Sequence, residues 1–467
     1  MPGAVYRPVG RGYLRLCAAS LLVFPHAGGA ATMTDVALIY PYQYNKHARN
    51  AMLFHPLGIA QLSAVLRKKG FATLVLDATF RDFDEVQGEI QHAKPRIVGI
   101  YVMLTMTENA RMLAKKLREL VPGLLLVCGG PMPTLRPEQF STEFDLVFRG
   151  EASESFPGFC RDYLSSGSLT DILDHCHRYP GIFFQKPGTD TVIGSPPRSH
   201  TERELNRLPI PDLSDYDHSR YQQFWEEREN FRPACIMTTY GCPYACDFCS
   251  KPVFGRYFRR RQMDRIMEEI HNIWSQGYDG LWIADDCFTL DPDHVRLFCD
   301  RMIREQPGMR WSCLSRTDRI TGNQVELMRR AGCKKVFFGL ESGSDEVLRI
   351  MNKKMSVSVA ERTVRLFAGS GIETAGFFMV GYPGETIETI EQTFAWALSL
   401  PLDEISFTIP FPLPDTSLYR RVYGVQPDRE WRYENENRII YNSEFDEAYL
   451  NRRINETYEQ FNARKAC

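Results

Sequence analysis

The chain has 467 residues, 43% hydrophobic and 24% charged, with a formal net charge of −2. That length exceeds one ordinary core and predicts roughly two or three domains of a soluble, globular kind. Near-neutrality gives no global field for nucleic acid or an anionic membrane, and no segment approaches the roughly 20 apolar residues of a spanning helix.

Arg7, Arg11 and Arg15 precede the apolar run LCAASLLVF and then AGGAA, a pattern that mimics a secretory signal. Met33, however, opens MTDVALIYPY, which begins like a first strand, so residues 1–32 are read as an extension outside the fold, ahead of a downstream start. Within it, LLVFPHAGGAA resembles the opening of thioesterases that work beside natural-product synthases.

From Met33 short apolar runs alternate with helical periodicity. Strands are expected at DVALIY, ATLVLDA, RIVGIYVM, LLLVCGG and FDLVFRG. Helices are expected between them at PLGIAQLSAVLRKKG, DFDEVQGEIQHA, TENARMLAKKLRELVPG and PTLRPEQFS, the first with Gly70 as its left-handed cap. Strand–helix alternation means a doubly wound parallel sheet, so residues 33–165 are expected to form a Rossmann-like α/β domain.

Residues 166–232 read as an interdomain connector containing a hairpin at YPGIFFQKPGTDTVIGSPP and a proline-punctuated strap at LNRLPIPDLSDYD. The alternation then restarts. Strands at CIMTTY, GLWIA, RWSCL, VFFGL, TAGFFMV and EISFTI, the first five each followed by a helix, predict a partial six-strand (β/α) barrel over residues 233–412. Residues 413–467 turn charged and aromatic and are read as a small C-terminal cap. The basic run RYFRRR reads as a solvated loop or as a contact for a phosphate or carboxylate.

Thirteen cysteines are an odd number, and ten are scattered without a repeated spacing, which fits reduced thiols in a cytoplasmic protein. The other three, Cys242, Cys246 and Cys249 in TTYGCPYACDFCSKP, follow the first barrel strand, at the C-terminal mouth where barrel chemistry occurs. Structural zinc asks for four ligands, usually in two pairs, and no second pair stands nearby. An iron–sulfur cubane held by three thiolates leaves one iron open. A structural metal loop completed by a distant residue is the competing reading.

The spacing Cys-x3-Cys-x2-Cys resembles that of the radical S-adenosylmethionine enzymes, and the partial barrel is similar too. The resemblance implies a [4Fe-4S] cluster whose open iron is chelated by S-adenosylmethionine, cleaved on reduction to a 5′-deoxyadenosyl radical. It implies Phe248 on the adenine, Asp286 or its neighbour Asp285 on the amino group, Arg316 on the methionyl carboxylate and Glu341 on the ribose. Gly381, Pro383 and Gly384 in MVGYPGET would admit the adenine closely. Adjacent strand carboxylates point to opposite faces, so only one of Asp285 and Asp286 can face the cavity.

An α/β domain before such a barrel resembles the cobalamin-binding branch of that family. VCGGPMPT and FRGEASESF carry the likeness, with Ala152 and Ser153 departing from the usual pair. Thr105, Gly129, Gly130, Pro131 and Glu151 are the implied cobalamin-binding residues. No histidine sits in Asp-x-His-x-x-Gly, so that motif supplies no lower cobalt ligand, while His47 and His55 lie in the loop after the first strand. Methylthiotransferases also precede the barrel with an α/β domain, but Cys128, Cys160 and Cys176 lack the spacing of their extra cluster. The implied activity is C-methylation of an unactivated carbon of a small molecule, with oxidative cyclisation or rearrangement as the alternative. The implied partners are that substrate and an electron donor such as flavodoxin or ferredoxin, with no nucleic acid.

Overall fold

The computed structural model describes residues 34–46, 52–186, 189, 191–251, 253–305, 307–422 and 438–466; the N-terminal extension and His47 lie outside these. Strands β1 (Val36–Tyr40), β2 (Thr73–Asp77), β3 (Ile97–Tyr101), β4 (Leu125–Gly129) and β5 (Leu146–Phe148) pair in parallel in the order β2-β1-β3-β4-β5. They are near-continuous apolar runs because both faces are covered. Val36 and Leu38 enter one core, whereas Ala37 and Ile39 enter the other. Gly70 has φ +89°, the left-handed stop expected after the helix Leu57–Lys68. The winding direction reverses between β1 and β3, which opens a crevice beyond their carboxyl ends.

The hairpin forms as β6 (Ile182–Gln185) and β7 (Val192–Gly194), but it does not stand apart. β6 pairs antiparallel with β5 and extends the sheet to seven strands. The connector also holds the helix His218–Glu229, which inserts Tyr221, Phe224 and Trp225 into the core from an otherwise polar sequence.

The expected strand CIMTTY breaks in two. β8 (Pro233–Ile236) joins the barrel, whereas β9 (Thr239–Tyr240) pairs antiparallel with β10 (Arg259–Arg260). The cause is side-chain capture: Asp285 accepts from Thr238 N at 2.6 Å and from Thr238 Oγ1 at 2.5 Å, turning the chain out of the sheet. β11 (Gly280–Ile283), β12 (Arg310–Ser315), β13 (Cys333–Glu341), β14 (Glu373–Met379) and β15 (Glu404–Thr408) then follow in chain order, all parallel, completing six barrel strands. Helices Gly322–Arg330 and Ile387–Ser399 open on capping boxes at Thr321 and Thr386. The last strand is covered by the helix Glu447–Ala466: Arg453 binds Glu391 at 2.6 Å, and Phe407 N donates to Tyr458 Oη at 2.9 Å.

The RYFRRR run is solvated only in part. Arg259 has no exposed side-chain surface and pairs with Glu151 at 2.6 Å, and Arg261 pairs with buried Glu269 at 2.6 Å. Arg256, Tyr257 and Arg260 stay in solvent, Arg260 beside Asp291.

Candidate functional site

The three thiols sit on the loop between β9 and β10. Cys242 is buried, Cys246 half-buried and Cys249 exposed. Backbone and side-chain bonds hold the loop: Cys242 N to Gly255 O at 3.3 Å, Asp247 N to Met351 O at 2.9 Å, and Asn352 Nδ2 to Ala245 O at 2.7 Å. Burial pushes the Cys242 and Cys249 thiols up, and the Lys251 ammonium pulls them back. Metal loading must therefore drive protons off. The donor set fits a cubane: three thiols on one pinned loop. Among the described residues no three His, Cys, Asp or Glu side chains converge on a single ion position, and a cubane, with its thiolates on separate irons, needs no such convergence.

The strand ends beyond β11 to β14 form the rim. Of the two aspartates, Asp285 is fully buried and spent on Thr238 and Thr239, with its carboxyl pushed up by burial. Asp286 is exposed; crowding by the surrounding protein pushes its carboxyl up, and Lys251 opposes that. Glu341 ends β13 at a bulge with φ +64°, a conformation rare for a side-chain-bearing residue, and its Oε1 takes Lys353 Nζ at 2.5 Å in a buried pair. Phe248 is half-buried against Tyr382, at a centroid distance of 6.4 Å.

Arg316 carries a different load from the expected ligand carboxylate. Its guanidinium donates instead to Asp318 at 3.0 Å, to Lys353 O at 2.7 Å and to Lys354 O at 3.2 Å, and it lies 3.7 Å over the Tyr244 ring. It thereby fastens the segment carrying Lys353 to the cluster loop. Gly381 has φ +80°, and a Cβ there would lie 2.6 Å from Leu450 Cδ1, so the C-terminal helix itself requires the glycine. Pro383 is half-buried beside it. Glu385 closes this loop: Oε2 accepts from Tyr382 N at 2.7 Å, Oε1 is buried without a partner, and burial raises the carboxyl to about 7.

Sequence reading passed over Asp247, Lys353 and Glu385. Asp247 accepts from Tyr382 Oη at 2.8 Å and pairs with Arg421 at 2.7 Å, joining the cluster loop, the glycine-rich loop and the C-terminal region. The available signal was an acidic residue inside the cysteine motif; its partners lie too far along the chain to be guessed.

In the first domain the loops after β1, β3, β4 and β5 share one edge. Thr105 is exposed in the turn Leu104–Met106. Gly130 has φ +112°, and a Cβ there would meet Val102 O at 2.7 Å and the Tyr101 ring at 3.2 Å, so the end of β3 closes on Gly130, while a Cβ on Gly129 would meet Phe148 O of β5 at 3.2 Å. Pro131 opens the short helix Pro131–Leu135, as proline suits a first helical position. This cradle of small residues and a hydroxyl fits a bulky, neutral corrin edge. Glu151 does not stand free there: it holds Arg259 and the His200 amide instead. His55 is likewise an interdomain strut, with Nε2 2.9 Å from Tyr278 Oη, and burial lowers it to about 3.

Comparison with known proteins agrees with this arrangement. A model of the radical SAM superfamily matches residues 236–397, and one of the B12 binding domain matches residues 48–159. The chain is 30% identical over 374 residues to an uncharacterized methyltransferase of Pyrococcus horikoshii, covering 78% of this chain and 77% of that protein. It is 26% identical to an anaerobic magnesium-protoporphyrin IX monomethyl ester cyclase of Rubrivivax gelatinosus, over 83% of this chain and 70% of the relative. The fold is shared with the radical S-adenosylmethionine methyltransferase TsrM from Kitasatospora setae, solved with cobalamin and a [4Fe-4S] cluster. That TM-score is 0.69 at 20% identity, over 82% of this chain and 74% of the other.

Proposed function

Because the chain belongs to the cobalamin-binding radical SAM enzymes, we propose that it is a C-methyltransferase acting on an unactivated carbon of a small molecule. When bound, the cluster supplies an electron to a sulfonium and cobalamin supplies a transferable methyl group. The protein's own part is to hold, orient and exclude water. Cys242, Cys246 and Cys249 hold the cluster, Asp286 takes the amino group of S-adenosylmethionine, Glu341 its ribose, and Phe248 with the Gly381–Pro383 turn its adenine. Thr105, Gly129, Gly130 and Pro131 border the corrin.

The observation that supports this reading is direct contact between the two domains. Phe54, in the loop after β1, stacks on Trp282 of β11 at 5.9 Å, which sets a carboxyl-end loop of the first sheet against the barrel. The test is anaerobic reconstitution with iron, sulfide and cobalamin, followed by assay with a candidate substrate. Methylation yields both 5′-deoxyadenosine and S-adenosylhomocysteine. The relative from Rubrivivax is a cyclase, which favours a second reading without methyl transfer; 5′-deoxyadenosine alone would establish that one.

A further inference from the structure

The two faces of the barrel strands are told apart by their contacts. Phe338 packs on Phe367 of the outer helix Val357–Phe367 at 5.3 Å, and Phe378 packs on Trp396 of Ile387–Ser399 at 5.9 Å. Phe337 and Phe377, one position earlier on each strand, therefore face the opposite way, into the lumen. They stack on one another at 5.7 Å with planes 20° apart. Trp282 of β11 meets Phe337 of β13 at 5.0 Å. These strands are not neighbours, since β12 lies between them, so that contact is possible only on the concave inner face. The register sets Leu314 beside Phe337. Phe54 continues the series from the first domain.

Phe54, Trp282, Leu314, Phe337 and Phe377 are all half-buried, whereas the outward set on the same strands is fully buried. The ring surface they leave open therefore borders the lumen. Positive charge there is already cancelled. Lys335, on the inner face of β13, is buried and paired with Glu404 and Glu373, and Glu341 above is paired with Lys353. Among the described residues the wall between those two pairs presents no unpaired basic side chain.

Resting on the catalytic reading above, we propose that this lumen receives the apolar ring system of an uncharged substrate. Flat rings match the stacked and edge-on aromatic wall. A phosphate or carboxylate entering it would lose its hydration and meet no counter-charge.

The test uses the cluster- and cobalamin-loaded protein with S-adenosylmethionine, and equilibrium dialysis of two probes, 1-naphthol and 1-naphthyl phosphate. Naphthol is expected to bind at least roughly tenfold more tightly. Phe377→Ala is expected to weaken naphthol roughly tenfold while leaving S-adenosylmethionine binding unchanged. Phe337→Leu, which keeps the site apolar, should retain most of the naphthol binding. Should Phe377→Ala not fold, quenching of Trp282 fluorescence by naphthol, lost in Trp282→Phe, gives the same answer in a folded protein. Equal or tighter binding of naphthyl phosphate, or naphthol binding indifferent to both aromatic substitutions, overturns the proposal. Dialysis needs no turnover, so the two readings fail separately. Naphthol preference without S-adenosylhomocysteine formation sinks C-methylation alone; methylation of an anionic substrate carried in the lumen sinks the lumen proposal alone.

Discussion

Arg259 of the barrel and Glu151 of the first domain form an ion pair at 2.6 Å, with 0% and 4% side-chain exposure. Arg259 Nη1 also donates to His200 O at 2.8 Å, and Glu151 Oε2 accepts from the His200 amide at 3.1 Å, so three segments meet at one desolvated charge pair. Removing one partner strands the other charge. Glu151→Gln or Arg259→Met is expected to cost about 3–5 kcal/mol in urea unfolding, and the double change Arg259→Met with Glu151→Leu should recover much of it. A loss below about 1 kcal/mol in both single variants would refute the lock.

The adjacent aspartates make opposite predictions. Asp285 holds three donors from Thr238 and Thr239, so Asp285→Asn should destabilise the fold by about 1–3 kcal/mol. Asp286 is exposed, so Asp286→Asn should leave stability within about 0.5 kcal/mol. Its effect should instead appear as weaker S-adenosylmethionine binding in equilibrium dialysis. Exchange of the two phenotypes would reverse the assignment.

Six parallel strands were legible because each is a short apolar run and the first five are each followed by a helix of 3.6-residue period. The break after Ile236 was not, since it depends on Asp285 reaching Thr238 across 47 residues. The burial of Arg259 was hidden for the same reason: its partner Glu151 is 108 residues away. The helices His218–Glu229 and Glu447–Ala466 are polar along most of their length, so periodicity gave no signal. At the site, spacing was enough to put the three thiols on one loop, and strand alternation to separate Asp285 from Asp286. The commitments of Arg316 and Glu341 depend on Lys353, which no spacing rule links to them.

The cluster loop offers a control inside the protein. Cys287 lies near Cys242, is buried, and has its thiol raised by burial to about 11. Cys242→Ala, Cys246→Ala and Cys249→Ala should each abolish the broad visible absorption and most bound iron after reconstitution. Cys287→Ala should retain wild-type iron content. Loss of iron in Cys287→Ala with a native melting temperature would make it a fourth ligand.

Glu385 supplies a pH signature. Its carboxyl is raised by burial from 4.5 to about 7, so between those values the folded chain holds a proton that the unfolded chain releases. The folded state is favoured below about pH 4.5, and that advantage is lost as pH rises through about 7. The upper bound is about 3 kcal/mol. His55 works the other way: burial lowers it to about 3, so acidification below its ordinary value favours unfolding. Comparing wild type with Glu385→Gln cancels the histidine contribution. The difference in melting temperature should grow in favour of Glu385→Gln from pH 5 to pH 8 and then level off. A flat difference across that window would mean that Glu385 ionises as an ordinary surface carboxylate, and that its unpartnered Oε1 reaches water.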